Sequence, residues 1–268
     1  MIVYVNGSFR DQSACGEVYE PGFLFGWGLF ETMRVYGGKL PFLHLHLERL
    51  KRGMGLVRLE PVSCEWEHTL QETLRRNEID EGYVRISVYK RKEGTGVSIY
   101  AAPFRYYGPQ MYERGVDLFF SPCTRHPGEI ASRVKSMSYL QNRLAWLQAQ
   151  EQGCAEALMA GPCRTLLGGA RSNVFIVRHG ETVTPAARDG AFEGVTRKVV
   201  LDMLSDLKIP FREGKVSAGD VYAADEVFLT SALMEIMPVA RCGRLEVGTR
   251  EKTVIPALRA RYREIVYE

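Results

Sequence analysis

The chain has 268 residues, of which 46% are hydrophobic and 25% charged, and its formal net charge is +3. This length suits two modest globular domains or one large α/β domain, and the composition excludes intrinsic disorder and a fibrous repeat. The charge is too small and too evenly spread to indicate a nucleic-acid groove or a membrane surface.

The six cysteines lie far apart, without the paired spacing of a zinc site or a redox motif, which indicates ordinary cytosolic thiols. The N-terminal residues lack the basic start, apolar stretch and cleavage site of a signal peptide, and no apolar run reaches ~18 residues. We therefore expect a cytoplasmic protein without a bound metal.

The sequence up to residue 120 predicts strands mixed with helices. Apolar and polar residues alternate before an Asn-Gly turn at residue 6, which indicates a hairpin, and leucines spaced three or four apart indicate amphipathic helices. The predicted strands cover residues 2–5, 29–36, 83–89 and 116–120, and the predicted helices cover residues 42–54, ending at Gly53 or Gly55, and 64–76.

Residues 121–127 are the best candidate for a linker, because they contain two prolines and no apolar period. Beyond them, helical patterns at 137–152, 197–207 and 254–262 alternate with strand patterns at 156–159, 173–177 and 226–230. These elements predict an α/β (α+β) protein, with a small N-terminal domain over residues 1–120 and a larger C-terminal domain over residues 128–268.

Lys135 is a candidate nucleophile between the predicted linker and the long helix. It lies in VKSMSYL, among apolar and small residues. Partial desolvation there would lower the pKa of its amine and make a nucleophile available. From these local features alone, an ordinary surface lysine is the commoner outcome.

Two loop-to-helix junctions could bind an anion. Gly194 precedes Val195 and Thr196, and the unpaired amides of a first helical turn can hold a phosphate. A similar junction of small residues follows the predicted strand at 226–230. Arg49 could add a bidentate phosphate contact, although an arginine beside Glu48 on an amphipathic helix is usually solvated.

Together these segments resemble the class IV aminotransferase family of pyridoxal-phosphate enzymes. This fold-type IV group includes branched-chain aminotransferases, D-amino-acid aminotransferases and 4-amino-4-deoxychorismate lyases. The similarity runs in order through FGWGLFETMRVYGGKLPFLHLHLERL, VKSMSYLQNRLA, GGARSNVFIV, GVTR and ADEVFLTSALMEIMPV. It implies two α/β domains, bound pyridoxal 5'-phosphate, a small-molecule amino substrate and a homodimer.

The resemblance implies roles for the matching residues. Lys135 is implied to bind the cofactor aldehyde covalently and to move protons, and Tyr139 to lie near the phenolic oxygen of the ring. The residues implied at the cofactor phosphate are Arg49, Val195, Thr196, Ala232 and Leu233, and those implied on the substrate side are Phe30, Tyr83 and Arg85.

Gly168 stands where the family has a glutamate that keeps the pyridine nitrogen protonated, and nothing acidic lies between Glu156 and Asn173. Without that carboxylate the ring should be a poorer electron sink. Three outcomes stay open: a reaction that needs less carbanion stabilisation, an acid from elsewhere such as Glu193 or Asp189, or a cofactor-binding protein with little activity.

The lyase subgroup is favoured by the compact length, the Lys-x-x-x-Tyr-Leu spacing and the Ala-Leu-Met of SALMEIMPV, where many aminotransferases have threonine at Ala232. Residues 90–96 lack the Arg-x-His pair of D-amino-acid aminotransferases. The resemblance thus implies a 4-amino-4-deoxychorismate lyase that forms 4-aminobenzoate and pyruvate. The alternatives are a class IV aminotransferase for branched-chain or other amino acids, and a catalytically impaired pyridoxal-phosphate-binding protein.

Overall fold

The computed structural model describes residues 1–104, 107–248 and 252–267, apart from the side chains of residues 15, 131 and 163. Over these residues the chain forms a hairpin, a three-stranded sheet and a nine-stranded sheet. The strands are β1 (Ile2–Val5), β2 (Ser8–Asp11), β3 (Gly28–Val35), β4 (Gly82–Lys90), β5 (Thr95–Pro103), β6 (Val116–Thr124), β7 (Glu156–Ala160), β8 (Leu166–Gly169), β9 (Asn173–Arg178), β10 (Glu181–Pro185), β11 (Phe211–Gly214), β12 (Glu226–Ser231), β13 (Glu235–Cys242) and β14 (Leu245–Glu246). The helices are α1 (Pro21–Phe25), α2 (Leu43–Leu56), α3 (Trp66–Arg76), α4 (Pro109–Arg114), α5 (Ile130–Arg133), α6 (Leu140–Glu151), α7 (Val195–Asp206), α8 (Ala218–Tyr222) and α9 (Val254–Tyr267).

The small sheet has the antiparallel order β3-β4-β5. Alternate residues of β4, Val84, Ile86 and Val88, are buried against α2 and α3. The small sheet and its two helices therefore have one core, and the opposite face of β4 is free to contribute polar side chains.

The predicted hairpin at the N-terminus is confirmed, since β1 and β2 pair across the Asn-Gly turn.

The sequence predicts that helix α2 ends at Gly53 or Gly55, but the helix continues to Leu56. Gly53 is buried, and a Cβ at that position would lie 2.9 Å from Leu29 Cδ1 on β3. The glycine therefore allows the helix to pack closely on the strand. Close packing, and not helix termination, accounts for its place in the sequence.

The large sheet has the order β11-β10-β9-β12-β13-β6-β7-β8, and β14 pairs with β13. Both faces are buried, so its central strands are almost continuously apolar. On β9, Val174 and Ile176 face one core, whereas Phe175 faces the other and stacks on Phe228 of β12 at 4.8 Å. Helices α7 and α9 cover this second face.

Strand β6 continues through the first four residues of the predicted linker. It runs to Thr124, which pairs with Ala160 of β7, and its register shifts between Phe120 and Thr124. Pro122 lies within this irregular stretch and has no amide hydrogen to donate to a neighbouring strand. Because β6 pairs with β13 and β7, this stretch is part of the large sheet. The division into two domains stays a prediction.

Two kinds of feature are absent from the described ranges. No helix there is both long enough and apolar enough to cross a bilayer. No group of three or more His, Cys, Asp or Glu side chains there is placed to hold a metal ion. The cysteines described as free thiols are Cys64, Cys123, Cys154 and Cys242, and the side chains of Cys15 and Cys163 lie outside the described residues.

Candidate active site

The segment that carries Lys135 is held against the first strand of the small sheet. Lys135 lies in the turn between α5 and α6. The Phe30 amide donates to the Lys135 carbonyl (2.9 Å), and the Met137 amide donates to the Gly28 carbonyl (2.8 Å). A side chain at position 28 would collide with Met137 Sδ and the Val88 carbonyl, so glycine permits this approach. The lysine backbone is therefore fixed on β3.

The Lys135 amine lies among aromatic rings. Its Nζ is 4.5 Å from the ring centroid of Phe30, 5.5 Å from that of Phe192 and 5.9 Å from that of Tyr139. Burial, followed by the positive charge of Arg49, lowers the pKa of Lys135 to about 7. A large share of this amine is therefore neutral near pH 7, and the neutral amine is the nucleophile.

A cavity of about 380 Å³ opens beside Lys135, with walls from both sheets. This volume lies within the usual range for small-molecule sites. The structure brings nine of the ten predicted site residues to its walls. They are Phe30, Arg49, Arg85, Lys135, Tyr139, Val195, Thr196, Ala232 and Leu233.

The N-terminus of α7 forms one end of the cavity. Gly194 is its N-cap residue, no side chain caps the helix, and Val195 and Thr196 line the cavity. A Cβ at position 194 would collide with Asn173 Oδ1, so the glycine keeps this helix end close to β9. Open amides and the helix dipole favour an anion here. This end has the chemistry expected of a phosphate site.

The turn after β12 forms a second wall, where Ala232 and Leu233 lie beside Thr230. Thr230 is 1% exposed, and its Oγ1 is buried without a hydrogen-bond partner among the described residues. A buried hydroxyl is rarely left unpaired, so this one is available to a bound molecule. In the sequence Thr230 begins the second candidate anion junction, but nothing there indicates a buried hydroxyl without a partner.

Arg49 is held by buried groups beneath it. Its Nε and Nη2 donate to the two carboxylate oxygens of Glu31 (2.8 and 2.6 Å), and its Nη1 donates to the Glu193 carbonyl (2.9 Å). Glu31 is 1% exposed and also pairs with His46 Nδ1 at 2.7 Å. Burial opposes ionisation, but the Arg49 charge and the His46 hydrogen bond lower the pKa of Glu31 to about 2. Two of the five guanidinium N–H groups of Arg49 stay available for an anion.

Tyr139 closes the cavity on the side of α6. Its hydroxyl donates to the Ala170 carbonyl (2.8 Å), and its ring packs edge-to-face on Phe30 with centroids 5.2 Å apart. Burial raises the pKa of Tyr139 to about 12, so it is a neutral phenol at physiological pH. Its single O–H is already donated to Ala170, so towards the cavity the hydroxyl oxygen can accept a hydrogen bond.

Arg85 projects from β4 over the ring of Phe30, with its Cζ 3.8 Å from the centroid. Burial lowers the pKa of this guanidinium, and no carboxylate in the described part of the chain pairs with it. Tyr83 is the predicted site residue that does not line the cavity. It lies two positions away on β4, and its hydroxyl is 3.4 Å from that of Tyr100.

Among the residues that the structure describes, no buried acid lines the cavity in place of the carboxylate that Gly168 lacks. Glu193 and Asp189, the substitutes considered from the sequence, do not line the cavity, and the Glu193 carboxylate pairs with Arg52 at 2.9 Å. Among the described lining residues the one carboxylate is Glu129, which is exposed at the rim. The described lining therefore offers no buried carboxylate to the ring nitrogen of a bound pyridoxal phosphate.

The sequence profile of the family described as amino-transferase class IV matches residues 28–242. The chain belongs to this family. The aminodeoxychorismate lyase of Bacillus subtilis is 26% identical over 275 residues, which cover 98% of this chain and 94% of that protein. The branched-chain-amino-acid aminotransferase of Escherichia coli K12 is 28% identical over 267 residues, covering 92% and 86%. The structure of a branched-chain aminotransferase from Thermoproteus uzoniensis with norvaline has a TM-score of 0.83 at 29% identity, covering 100% and 95%.

Membership of the class IV family makes the chain a pyridoxal-phosphate-dependent enzyme of fold-type IV, and it confirms the resemblance seen in the sequence. The α7 N-terminus, Arg49 and the unpaired Thr230 hydroxyl fit the cofactor phosphate, and the Lys135 amine fits its aldehyde. When bound, pyridoxal phosphate supplies an aldehyde that joins amines and a ring that takes up negative charge. Among the described lining residues, the carboxylate that the family resemblance implies for the ring nitrogen is missing.

Proposed function

We propose that the chain is a 4-amino-4-deoxychorismate lyase, which forms 4-aminobenzoate and pyruvate. The observation that carries this proposal is the excess of positive charge in the cavity, opposed by the single rim carboxylate of Glu129. A substrate with two carboxylates matches such a cavity. Besides Arg49 and Lys135, the lining cations are Arg85, Arg125, Arg143 and Arg171.

Arg85 is the best placed of these cations for a substrate carboxylate. It shares the Phe30 ring with Lys135, whose Nζ is 4.5 Å from the same centroid. The Arg85 charge also contributes to the lowered pKa of Lys135, so a carboxylate bound by Arg85 would lie within electrostatic range of the reacting amine. Because Arg85 has no carboxylate partner of its own among the described residues, substrate binding displaces no existing ion pair there.

Lys135 performs the proton transfers of the proposed reaction. With pyridoxal phosphate and substrate bound, the Lys135 Nζ would take the proton from the substrate carbon that bears the amine. The enolpyruvate group would leave from the neighbouring carbon and take up a proton to become pyruvate, and the aromatic ring that results supplies a strong driving force. This driving force lowers the demand on the ring nitrogen, and Gly168 leaves that nitrogen without a carboxylate.

The proposal is tested by incubating the purified holoenzyme with 4-amino-4-deoxychorismate and measuring 4-aminobenzoate by its fluorescence. We expect product with the wild type and none with Lys135→Ala. Absence of product at high enzyme concentration, from a protein whose visible spectrum shows bound cofactor, would rule out the lyase.

Amino-group transfer is the second candidate, favoured by the relatives named branched-chain aminotransferases in Escherichia coli and Thermoproteus uzoniensis. The same cavity would then accept an amino acid and a 2-oxo acid in turn. The distinguishing experiment loads the enzyme with pyridoxamine phosphate and adds 2-oxo acids. Return of the absorbance of the aldehyde form, with ping-pong kinetics, would support transfer. An enzyme with bound cofactor that turns over neither substrate would be the impaired protein.

We also propose that the enzyme is a cytoplasmic homodimer. Apolar side chains are exposed on α1, at Phe23 and Phe25, and on α6, at Leu140 and Leu144. Exposed apolar patches commonly mark protein interfaces. Light scattering coupled to size exclusion should give twice the chain mass of 30.3 kDa, and a monomer at micromolar concentration would contradict the dimer.

A further inference from the structure

Arg125 is a buried cation in the cavity wall, and the proposed function assigns it no particular atom of the substrate or the cofactor. It follows β6 directly, and its amide donates to the Ala160 carbonyl of β7 (2.9 Å), so its backbone continues the large sheet. The residue is 7% exposed and lines the cavity beside Gly169 and Ala170. In the sequence it falls within the predicted linker, where an arginine has no expected role.

The guanidinium of Arg125 has no acidic partner among the described residues. Its Nη2 donates to the Gly169 carbonyl (3.3 Å) and lies 3.7 Å from Met159 Sδ. Burial lowers its pKa, yet a guanidinium stays protonated at any physiological pH. A buried charge without a counter-ion is costly unless its hydrogen bonds are satisfied. A ligand in the cavity can supply the missing acceptor.

The nearest buried carboxylate is already engaged. Glu156 accepts hydrogen bonds from the Ala157 amide (3.0 Å), the Arg171 amide (3.2 Å) and the Ser172 hydroxyl (3.2 Å). It is 0% exposed and does not line the cavity, and burial raises its pKa. The acceptor for Arg125 must therefore come from the cavity side.

The position of Arg125 corresponds to the missing carboxylate. The family resemblance places the ring-nitrogen glutamate at residue 168, and Arg125 donates to the carbonyl of the next residue. Gly168 itself has a φ of +138°, and a Cβ there would lie 3.0 Å from the Ser172 carbonyl. A glutamate at position 168 is thus strained in this backbone, and a cation occupies the adjoining wall.

We propose that Arg125 donates a hydrogen bond to the ring nitrogen of bound pyridoxal phosphate, in the place of the family carboxylate. The inference rests on the cofactor site of the proposed function and not on the choice between lyase and transferase. A guanidinium has donors only, so the ring nitrogen must be the acceptor and carry no proton. A nearby cation also lowers the pKa of the pyridinium, by about 1–3 pH units for a single charge.

An unprotonated ring alters the chemistry of the site. An unprotonated ring takes up less negative charge from the substrate carbon than a pyridinium does. The reaction therefore depends more on Lys135 to accept the proton that leaves this carbon. The titratable groups that interact electrostatically with Arg125 are Tyr139, which stays neutral because burial raises its pKa, Glu156 and Lys135. Such a site favours reactions in which a bond breaks directly after the proton is removed.

The test is ¹⁵N NMR of the holoenzyme loaded with pyridoxal phosphate that is labelled at the ring nitrogen. We expect the resonance of an unprotonated pyridine in the wild type at pH 7.5. In Arg125→Met the protonation midpoint should move up by about 1–3 pH units. Arg143→Met removes an exposed cavity arginine that stacks on Trp146 at 4.3 Å, and it should keep the wild-type resonance.

A pyridinium resonance in the wild type at pH 7.5 would overturn the inference, as would a titration that is the same in Arg125→Met and the wild type. If Arg125→Met does not fold, the wild-type resonance alone decides whether the ring nitrogen carries a proton. A wild-type chain that retains no cofactor after dialysis would overturn both this inference and the proposed function. An unprotonated ring in an enzyme that makes no 4-aminobenzoate would overturn the lyase alone.

Discussion

Replacing Glu31 with glutamine should destabilise the protein by about 3 kcal/mol. The carboxylate is 1% exposed and lies between Arg49 and His46. Its pKa falls from 4.5 to about 2 in the folded state, against the effect of burial. At about 1.4 kcal/mol per pH unit, this shift corresponds to about 3 kcal/mol of folding free energy. The loss of one partner of a buried ion pair has a similar cost, about 3–5 kcal/mol.

The effect should depend on pH in a defined direction. Because folding depresses the pKa of Glu31, the carboxylate contributes fully to stability above pH 4.5, and the contribution is lost as the pH falls towards 2. The difference in unfolding free energy between the wild type and Glu31→Gln should therefore be constant near neutral pH and shrink below pH 4.5.

Urea unfolding of the two cofactor-free proteins, followed by tryptophan fluorescence, measures this difference. Glu72→Gln is the matched control, because Glu72 also accepts from two arginines, Arg75 and Arg76, but on the surface of α3. Surface ion pairs contribute little, so the control should unfold like the wild type. Equal unfolding free energies for Glu31→Gln and the wild type would refute the reasoning, as would equal losses in the two variants.

Three further outcomes are expected. Because the pKa of Lys135 is about 7, covalent uptake of pyridoxal phosphate by the apoenzyme should accelerate through pH 7, seen as growth of the visible band; a midpoint near the value of an ordinary lysine would contradict this. Arg85→Leu should raise KM for 4-amino-4-deoxychorismate about 10- to 100-fold, because a charged hydrogen bond is lost, and it should leave the cofactor affinity unchanged. A KM within about twofold of the wild type would argue against that contact. Thr230→Val should not destabilise the apoenzyme, since the hydroxyl has no partner among the described residues. It should weaken cofactor binding about 5-fold in a fluorescence titration, and an affinity equal to that of the wild type would show that Thr230 does not contact the phosphate.

Elements with a clean apolar period could be predicted from the sequence to within a few residues. The strand expected at 226–230 is Glu226–Ser231, and the helix expected at 64–76 is Trp66–Arg76. Short strands without a period, such as β8 with its two glycines, could not be predicted, because the pairing with β7 that forms them is not a local property. The extent of β6 beyond residue 120 could not be predicted either, since Pro122 is tolerated at an irregular point of a strand.

The residues of the candidate site also differ in how far the sequence alone predicts them. Lys135 and the α7 N-terminus are singled out by the family resemblance of VKSMSYLQNRLA and GVTR, since the local features of Lys135 alone favour an ordinary surface lysine. Glu31 and Arg49 are 18 positions apart and meet only because α2 packs on β3. The role of Arg125 depends on the wall that β8 builds opposite it. A buried charge is visible in the sequence as a residue type, whereas its partner is visible only in the fold.

The proposed function depends on a covalent bond between Lys135 and pyridoxal phosphate. Borohydride reduction of the holoenzyme, followed by peptide mass spectrometry, fixes the cofactor to whichever lysine holds it. We expect the phosphopyridoxyl mass on the peptide that contains Lys135 and none on peptides that contain Lys39 or Lys198. A stable label on another lysine, or no label on a protein that was yellow before reduction, would contradict the assignment.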